Sequence, residues 1–319
     1  MKRYPLYKNL LLSFVSILVF FSLLEGATRL FWHSKLEKDH VGAIIQGANR
    51  QIIYEGIEYK TNSLGLRMTR ELSPRKSANE KRILAVGDSF VWGEGLPYED
   101  LITVKMEALL NRDYGEVQVI NGGQSGFDTI DELERLKLLM PLCQPDMAII
   151  FFYTNDVVDK NDKHSFNLRQ NTHEFLRTHS KFLGFLYYLF KDKLGIPTVF
   201  LPSDLFDLND SKPGWVAFKK AATDIHRECS ENNVQLLFVL IPTLTNLDAN
   251  YPYAELRTKT NSFLKGIGIP VYDIFDLFTP YRASELWISL KNTHWNGKGT
   301  DLAAAGIVDC INTHNLLRN

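Results

Sequence analysis

Residues 82–90, RILAVGDSF, join an apolar run to a glycine, an acid and a serine. The continuous apolar run 83–86 is typical of a strand buried on both faces of a parallel sheet. Ligands of such sheets bind in the crevice beyond the carboxyl ends of the strands, where Ser89 would stand. Two interpretations are open. Asp88 and Ser89 cap a following helix, or Ser89 is a nucleophile beside backbone N–H donors.

The composition is that of a chain able to bury a large core, without a dominant charge. Its 319 residues are 45% hydrophobic and carry a formal net charge of -1. Nucleic-acid binding requires a concentrated positive surface, so we expect no nucleic-acid partner. Cys143, Cys229 and Cys310 are far apart in sequence, which favours buried free thiols over a metal site or a disulfide framework.

The N-terminus is basic and then apolar, which predicts a membrane helix. Lys2, Arg3 and Lys8 precede the apolar residues 10–24, and a spanning helix needs about 20 residues. Basic residues before the span favour a cytoplasmic N-terminus. We therefore expect residues 1–32 to be a single-pass anchor, with the rest of the chain extracytoplasmic, in the periplasm or at the cell surface. A cleaved signal peptide is the alternative, although no clear cleavage site follows the run.

From residue 81 onward, strand-like and helical patterns alternate. The predicted strands are 83–86, 116–120, 147–153, 234–241 and 269–274. The predicted helices are 100–112, 129–140, 215–232, 254–265 and 299–317, the second of them ended by Pro141. Strand–helix units of this kind predict an α/β fold with a doubly wound, five-stranded parallel sheet.

The places where the alternating pattern begins and is interrupted predict the domain organisation of the chain. Residues 33–80 lack strong periodicity and are interpreted as a lead-in segment and linker to a catalytic domain at 81–319. Residues 157–213 interrupt the alternation as an insertion. Because the insertion follows the carboxyl end of a strand, it is either a lid over the crevice or a satellite packing element.

Three more features stand where strands end or where the last helix begins. Gly122 and Gly123 follow the second strand, Asn155 follows the third, and His294 precedes the final helix. An imidazole can take a serine proton and return it to a leaving group. A neutral amide such as that of Asn155 can donate to an oxyanion. Each feature also has an ordinary alternative. The two glycines can form a turn, Asn155 can belong to an Asn-Asp turn, and His294 can be a structural histidine.

Taken in order, these blocks resemble those of the SGNH, or GDSL-type, hydrolases. The matching segments are 87–90 (GDSF), 121–126 (NGGQSG), 153–156 (YTND) and 294–296 (HWN). The resemblance implies a flavodoxin-like sheet and ester hydrolysis or acyl transfer through an acyl-serine, with no metal and no cofactor. The pattern Tyr-x-x-Asn-x-x-Gly-x-Arg over 59–67 is similar to the lead-in of membrane-anchored bacterial members.

The resemblance also implies a role for each matched residue. Ser89 is the nucleophile, and its own N–H is one donor to the oxyanion. Gly123 and Asn155 are the remaining oxyanion donors. His294 is the base, and Asp88 supports the nucleophile block.

The last block departs from the family pattern. An aspartate usually stands two or three residues before the histidine, and this chain has Asn292 two residues before His294. The amide oxygen of Asn292 could accept the imidazole Nδ1–H, but an amide supplies no negative charge. The alternatives are a serine–histidine dyad, or a carboxylate from Asp273 or Asp276.

The sequence therefore predicts a serine esterase. Its expected substrate is an ester-bearing small molecule, or an O-acyl group on an extracytoplasmic glycan or lipid, with the N-terminal helix in the membrane. The same acyl-serine would serve an acyltransferase that modifies envelope polysaccharide. The missing aspartate favours a third possibility, a catalytically weak member of the fold that binds glycans or acts as a scaffold.

Overall fold

The structure, a computed structural model, describes residues 6–31, 47–54, 56–158, 180, 182–183, 210–289 and 292–317. These residues fall into two units, the first made of 6–31 with 180, 182 and 183, and the second of all the others. The predicted insertion, 157–213, lies outside the described residues except at its two ends and those three positions. From the sequence we interpret His164, His173 and His179, within this insertion, as surface residues, and all three also lie outside the described residues.

The first unit contains one long helix, α1 (Leu6–Phe31). Among the described residues, its segment Leu12–Leu30 is the one stretch long and apolar enough to cross a membrane, with a mean hydropathy of 1.5 and no part buried in the protein. Anchors and signal sequences share these properties, so the helix fits both alternatives.

The second unit begins with an antiparallel hairpin, β1 (Gln51–Tyr54) and β2 (Ile57–Lys60). Sequence analysis predicted no strand here, because the strands are four residues long and largely exposed. The chain that follows turns inward, and Leu66 and Arg67 are almost completely buried.

Five parallel strands form the central sheet of the second unit. They are β3 (Lys81–Gly87), β4 (Val117–Asn121), β5 (Met147–Phe152), β6 (Gln235–Leu240) and β7 (Val271–Asp273). Their spatial order is β4-β3-β5-β6-β7, which is the flavodoxin-like order with its switch point between β3 and β5. The predicted doubly wound, five-stranded sheet is thus confirmed.

Helices cover both faces of this sheet. They are α2 (Ser89–Trp92), α3 (Ile102–Tyr114), α4 (Thr129–Cys143), α5 (Pro213–Glu231), α6 (Ala254–Gly266), α7 (Phe275–Phe278) and α8 (Gly297–Thr313). Alternate residues of β3 supply the two cores: Ile83 and Ala85 pack with α3 and α8, and Leu84 and Val86 pack with α4, α5 and α6. The unbroken apolar run of β3 is needed because both of its faces are buried.

One local prediction was wrong, and one local element was missed. The helix α4 continues through Pro141 to Cys143. A proline one turn from the end removes one hydrogen bond there, and Gln144 closes the helix in the left-handed conformation instead. The segment before α8 is a second antiparallel hairpin, β8 (Trp287–Ser289) and β9 (Asn292–Trp295), which is too short to produce a periodic signal.

Asn296 connects this hairpin to the last helix. Its Oδ1 accepts the backbone N–H of Gly299 at 3.1 Å and caps α8. Its Nδ2 donates to the carbonyl oxygens of Glu285 (2.9 Å) and Trp287 (3.0 Å). One side chain therefore fixes where β9 ends and α8 begins.

We predict that Asn296→Ala lowers the free energy of unfolding by about 1–2 kcal/mol, because a helix cap and two carbonyl partners are lost. Asn296→Asp keeps the cap acceptor but places an oxygen against the two carbonyl oxygens, so it is expected to lose stability as well. The measurement is denaturant unfolding of the full chain at constant detergent concentration. The exposed Asn250, changed to alanine, is the matched control. Equal midpoints for Asn296→Ala and Asn250→Ala would contradict the role.

Candidate active site

The turn after β3 places a serine at the carboxyl edge of the sheet. Asp88 caps α2 by accepting the backbone N–H of Phe90 at 2.9 Å, and Ser89 is the first helical residue. Gly87 is required here, since a Cβ on it would lie 2.5 Å from Cγ2 of Val91. The two interpretations therefore apply to different residues. Asp88 caps the helix, and Ser89 faces the crevice.

The hydroxyl of Ser89 meets the imidazole of His294. Oγ of Ser89 lies 2.7 Å from Nε2 of His294, although 205 positions separate the two residues in sequence. On the other side of the ring, Nδ1 of His294 lies 2.6 Å from Oδ1 of Asn292. The structure thus brings Ser89, His294 and Asn292 into one chain of contacts. Asp273, a possible alternative, instead pairs with Arg257.

The backbone fixes which end of the Asn292 amide faces the ring. The backbone N–H of His294 donates to Oδ1 of Asn292 at 3.1 Å, so an oxygen must stand at that position. The same oxygen then accepts the Nδ1–H of the imidazole, which leaves Nε2 without a proton and able to accept one from Ser89. The amide therefore holds the tautomer that a general base needs, but without the charge of a carboxylate.

Aromatic side chains hold the imidazole in place. The ring of Phe90 lies 4.8 Å from the ring of His294, 4.6 Å from Tyr153 and 5.2 Å, edge-on, from Trp295. Phe90 and Trp295 are buried. Tilted and edge-to-face rings at these distances restrict one another's orientation, so the base is fixed by packing as well as by hydrogen bonds.

The two other predicted oxyanion donors lie at the same edge. A Cβ on Gly123 would lie 2.5 Å from the backbone nitrogen of Trp92, so this glycine packs directly against α2. Its N–H donates to Oδ1 of Asn121 at 3.1 Å. The amide of Asn155 donates to the carbonyl oxygen of Phe127 at 2.9 Å. Both donors therefore have partners in the resting protein, and their role toward an oxyanion stays a prediction.

Three buried carboxyl groups lie behind the nucleophile. Burial raises the pKa of Asp88 to about 7. Burial, reinforced by the neighbouring acids, also raises the pKa values of Glu132 and Asp156 well above their ordinary range. Sequence analysis missed Glu132, but a signal existed: the residue lies four positions before Leu136, in phase with the buried apolar stripe of α4.

Comparisons with known proteins return distant structural likenesses. No established family profile and no curated protein matches the sequence. Among solved structures, the psychrotrophic esterase EstA from Pseudoalteromonas sp. is 15% identical, with a TM-score of 0.46, over 74% of this chain and 98% of its own. TesA is 13% identical, with a TM-score of 0.47, over 73% and 99%. AlinE4, an SGNH-hydrolase family esterase, is 19% identical, with a TM-score of 0.37, over 61% and 77%.

These likenesses are too distant to carry information about a substrate. The strand order of the sheet is that of a flavodoxin-like, doubly wound α/β fold, with a serine after its first strand and a histidine before its last helix. Within this fold, the four sequence blocks lie at or beside the carboxyl edge of the sheet, as the resemblance implied.

We predict that the raised pKa of Asp88 makes stability depend on pH. Between pH 4 and 7 the folded protein binds a proton that the unfolded chain releases near the ordinary value of 3.8, so the free energy of unfolding falls as the pH rises to about 7. Asp88→Asn keeps an acceptor for the N–H of Phe90 and should flatten this slope. Glu132 and Asp156 contribute with the same sign, so part of the slope remains.

Denaturant unfolding of the full chain at several pH values measures the effect. Asp276→Asn is the matched control, because the side chain of Asp276 is 88% exposed. A pH dependence that is parallel in Asp88→Asn and in the unmodified protein would contradict the assignment.

Proposed function

We propose that the protein is a serine ester hydrolase in which Ser89, His294 and Asn292 form the catalytic triad. The observation that carries the proposal is the 2.7 Å contact between Oγ of Ser89 and Nε2 of His294. A nucleophile, a base within hydrogen-bond reach and a third group that orients the base are the parts that covalent acyl chemistry requires.

The proposed reaction has two halves. Oγ of Ser89 attacks the ester carbonyl while Nε2 of His294 takes the hydroxyl proton. The same proton then passes to the departing alcohol, which leaves an acyl group on Ser89. Water, deprotonated by Nε2, attacks this acyl-serine; the proton on Nε2 then passes to Oγ of Ser89 as the bond to the acyl group breaks and the acid is released. The backbone N–H groups of Ser89 and Gly123 and the amide of Asn155 are the proposed donors to the oxyanion in both halves.

We further propose that the substrate is an O-acyl group on an extracytoplasmic glycan or lipid. The support is the helix α1, which follows a basic N-terminus and presents an unburied apolar segment over Leu12–Leu30. Positive residues before a span favour a cytoplasmic N-terminus, which would place the α/β fold beyond the membrane.

Replacement of the nucleophile tests the reaction class. We predict that Ser89→Ala lowers the turnover of p-nitrophenyl acetate by at least about 10³-fold and abolishes labelling by a fluorophosphonate, because both need the same oxygen. The full chain in detergent is the sample. Ser230→Ala is the matched control, since the hydroxyl of Ser230 donates to a carbonyl oxygen of its own helix, that of His226. Unchanged turnover and labelling in Ser89→Ala would refute the proposal.

Replacement of Asn292 tests how the base is oriented. We predict that Asn292→Ala lowers kcat by about 10²-fold or more, because the tautomer and the ring position are no longer fixed. Asn292→Asp adds a negative charge at the same distance. It should raise kcat by no more than about tenfold, the equivalent of one pKa unit, and move the acidic limb of the pH–rate profile to higher pH.

A far larger gain in Asn292→Asp would contradict the tautomer argument. A gain near 10⁴-fold would mean that the native amide holds the wrong tautomer, as in a serine protease whose aspartate is replaced by asparagine. It would favour the catalytically weak alternative for the native chain.

A further inference from the structure

The lead-in pattern over 59–67 folds into a loop whose shape its own residues determine. Oδ1 of Asn62 accepts the backbone N–H groups of Leu64 and Leu66, each at 3.0 Å. Gly65 has a φ of 72°, in the left-handed region that glycine adopts without strain. The loop turns Arg67 toward the interior, where only 1% of this residue is exposed.

The guanidinium of Arg67 binds the turn that follows the nucleophile helix. It donates to the carbonyl oxygens of Trp92 (3.0 Å), Gly93 and Leu96 (2.6 Å). Its carbon lies 4.3 Å from the centre of the Tyr59 ring, a cation–π distance. Burial lowers the pKa of Arg67 to about 10. Arg67 is a buried cation whose guanidinium donates to three carbonyl oxygens of one short turn. These bonds hold the turn in one position.

Tyr59 bonds to the same turn at Gly95, and Gly95 in turn lies against Asn292 of the proposed triad. The hydroxyl of Tyr59 accepts the backbone N–H of Gly95 at 2.9 Å. Gly95 has a φ of 82°, and a Cβ on it would lie 2.6 Å from Nδ2 of Asn292. The backbone of Gly95 therefore lies directly against the amide group that orients His294.

We propose that Tyr59 and Arg67 are positioning residues for catalysis. They hold the turn 93–96 so that Gly95 supports the amide of Asn292, and Asn292 in turn keeps His294 in the tautomer that accepts the proton of Ser89. The proposal rests on the proposed function for its effect on rate, and on geometry alone for its effect on His294.

Two conservative variants remove parts of this contact and keep most of the packing. Tyr59→Phe removes the hydroxyl and keeps the ring under the guanidinium. Arg67→Lys keeps a charge but not the planar group that reaches three carbonyl oxygens. Arg82→Lys is the matched control: Arg82 is equally buried, and binds the carbonyl oxygens of Cys143 (3.1 Å) and Ser73 (3.0 Å).

We expect kcat of the full chain with p-nitrophenyl acetate to fall about 10- to 100-fold in Tyr59→Phe and Arg67→Lys, with KM changed less than about twofold. In the Asn292→Ala background, Tyr59→Phe should cause no further loss, because the support acts through that amide. Arg82→Lys should lower stability and leave kcat unchanged below its unfolding temperature. An undiminished effect of Tyr59→Phe in the Asn292→Ala background, or an equal loss of kcat in Arg82→Lys, would overturn the proposal.

A readout that needs no substrate separates this proposal from the esterase assignment. The ¹⁵N NMR shifts of the His294 ring, assigned by comparison with His294→Gln, report which nitrogen carries the proton. We expect one tautomer, protonated at Nδ1, in the native chain and a mixture in Tyr59→Phe. Identical shifts in both proteins would refute the positioning role. Unchanged turnover in Ser89→Ala would refute the esterase alone.

Discussion

One oxygen atom, Oδ1 of Asn292, determines how the proposed site works. It accepts two N–H groups of the same residue, one from the backbone of His294 and one from its ring. The backbone donor cannot be reversed, so as long as the Asn292 side chain is held beside it, an oxygen faces the ring and sets the tautomer of the imidazole. An asparagine can do this as well as an aspartate; what it cannot supply is charge for the imidazolium. The proposed site therefore has the geometry of a catalytic triad without the negative charge that an aspartate would add.

The remainder of the site is a consequence of strand order. Because β3 lies between β4 and β5 in the sheet, the turn after it is bordered by the ends of both strands and can be contacted from both sides. Gly123 packs against α2 from one side, and Phe90 meets Tyr153 from the other. His294 lies outside the sheet, on the hairpin β8–β9, which Asn296 links to the last helix.

Near the proposed nucleophile the chain buries ionisable side chains, which are energetically unfavourable to remove from water. Asp88 and Glu132 are buried carboxyls, and Arg67 is a buried cation. Each is expensive to remove from water unless a partner compensates it. Arg67 is compensated by carbonyl oxygens of the turn that supports Asn292, and Asp88 by the N–H of Phe90. Arg67 and Asp88 therefore exchange solvation for defined positions at the carboxyl edge of the sheet.

The sequence by itself determined the sheet, because a strand buried on both faces must be a continuous apolar run, as residues 83–86 are. It also predicted Ser89, His294 and Asn292, since the blocks that contain them stand where strands end or the last helix begins. It could not predict the hairpin β8–β9, which is too short for a period, nor the role of Tyr59 and Arg67. Only the tertiary structure decided those, because the contacts of Tyr59 and Arg67 join residues 25 or more positions apart. No local sequence pattern shows which distant backbone a side chain will contact.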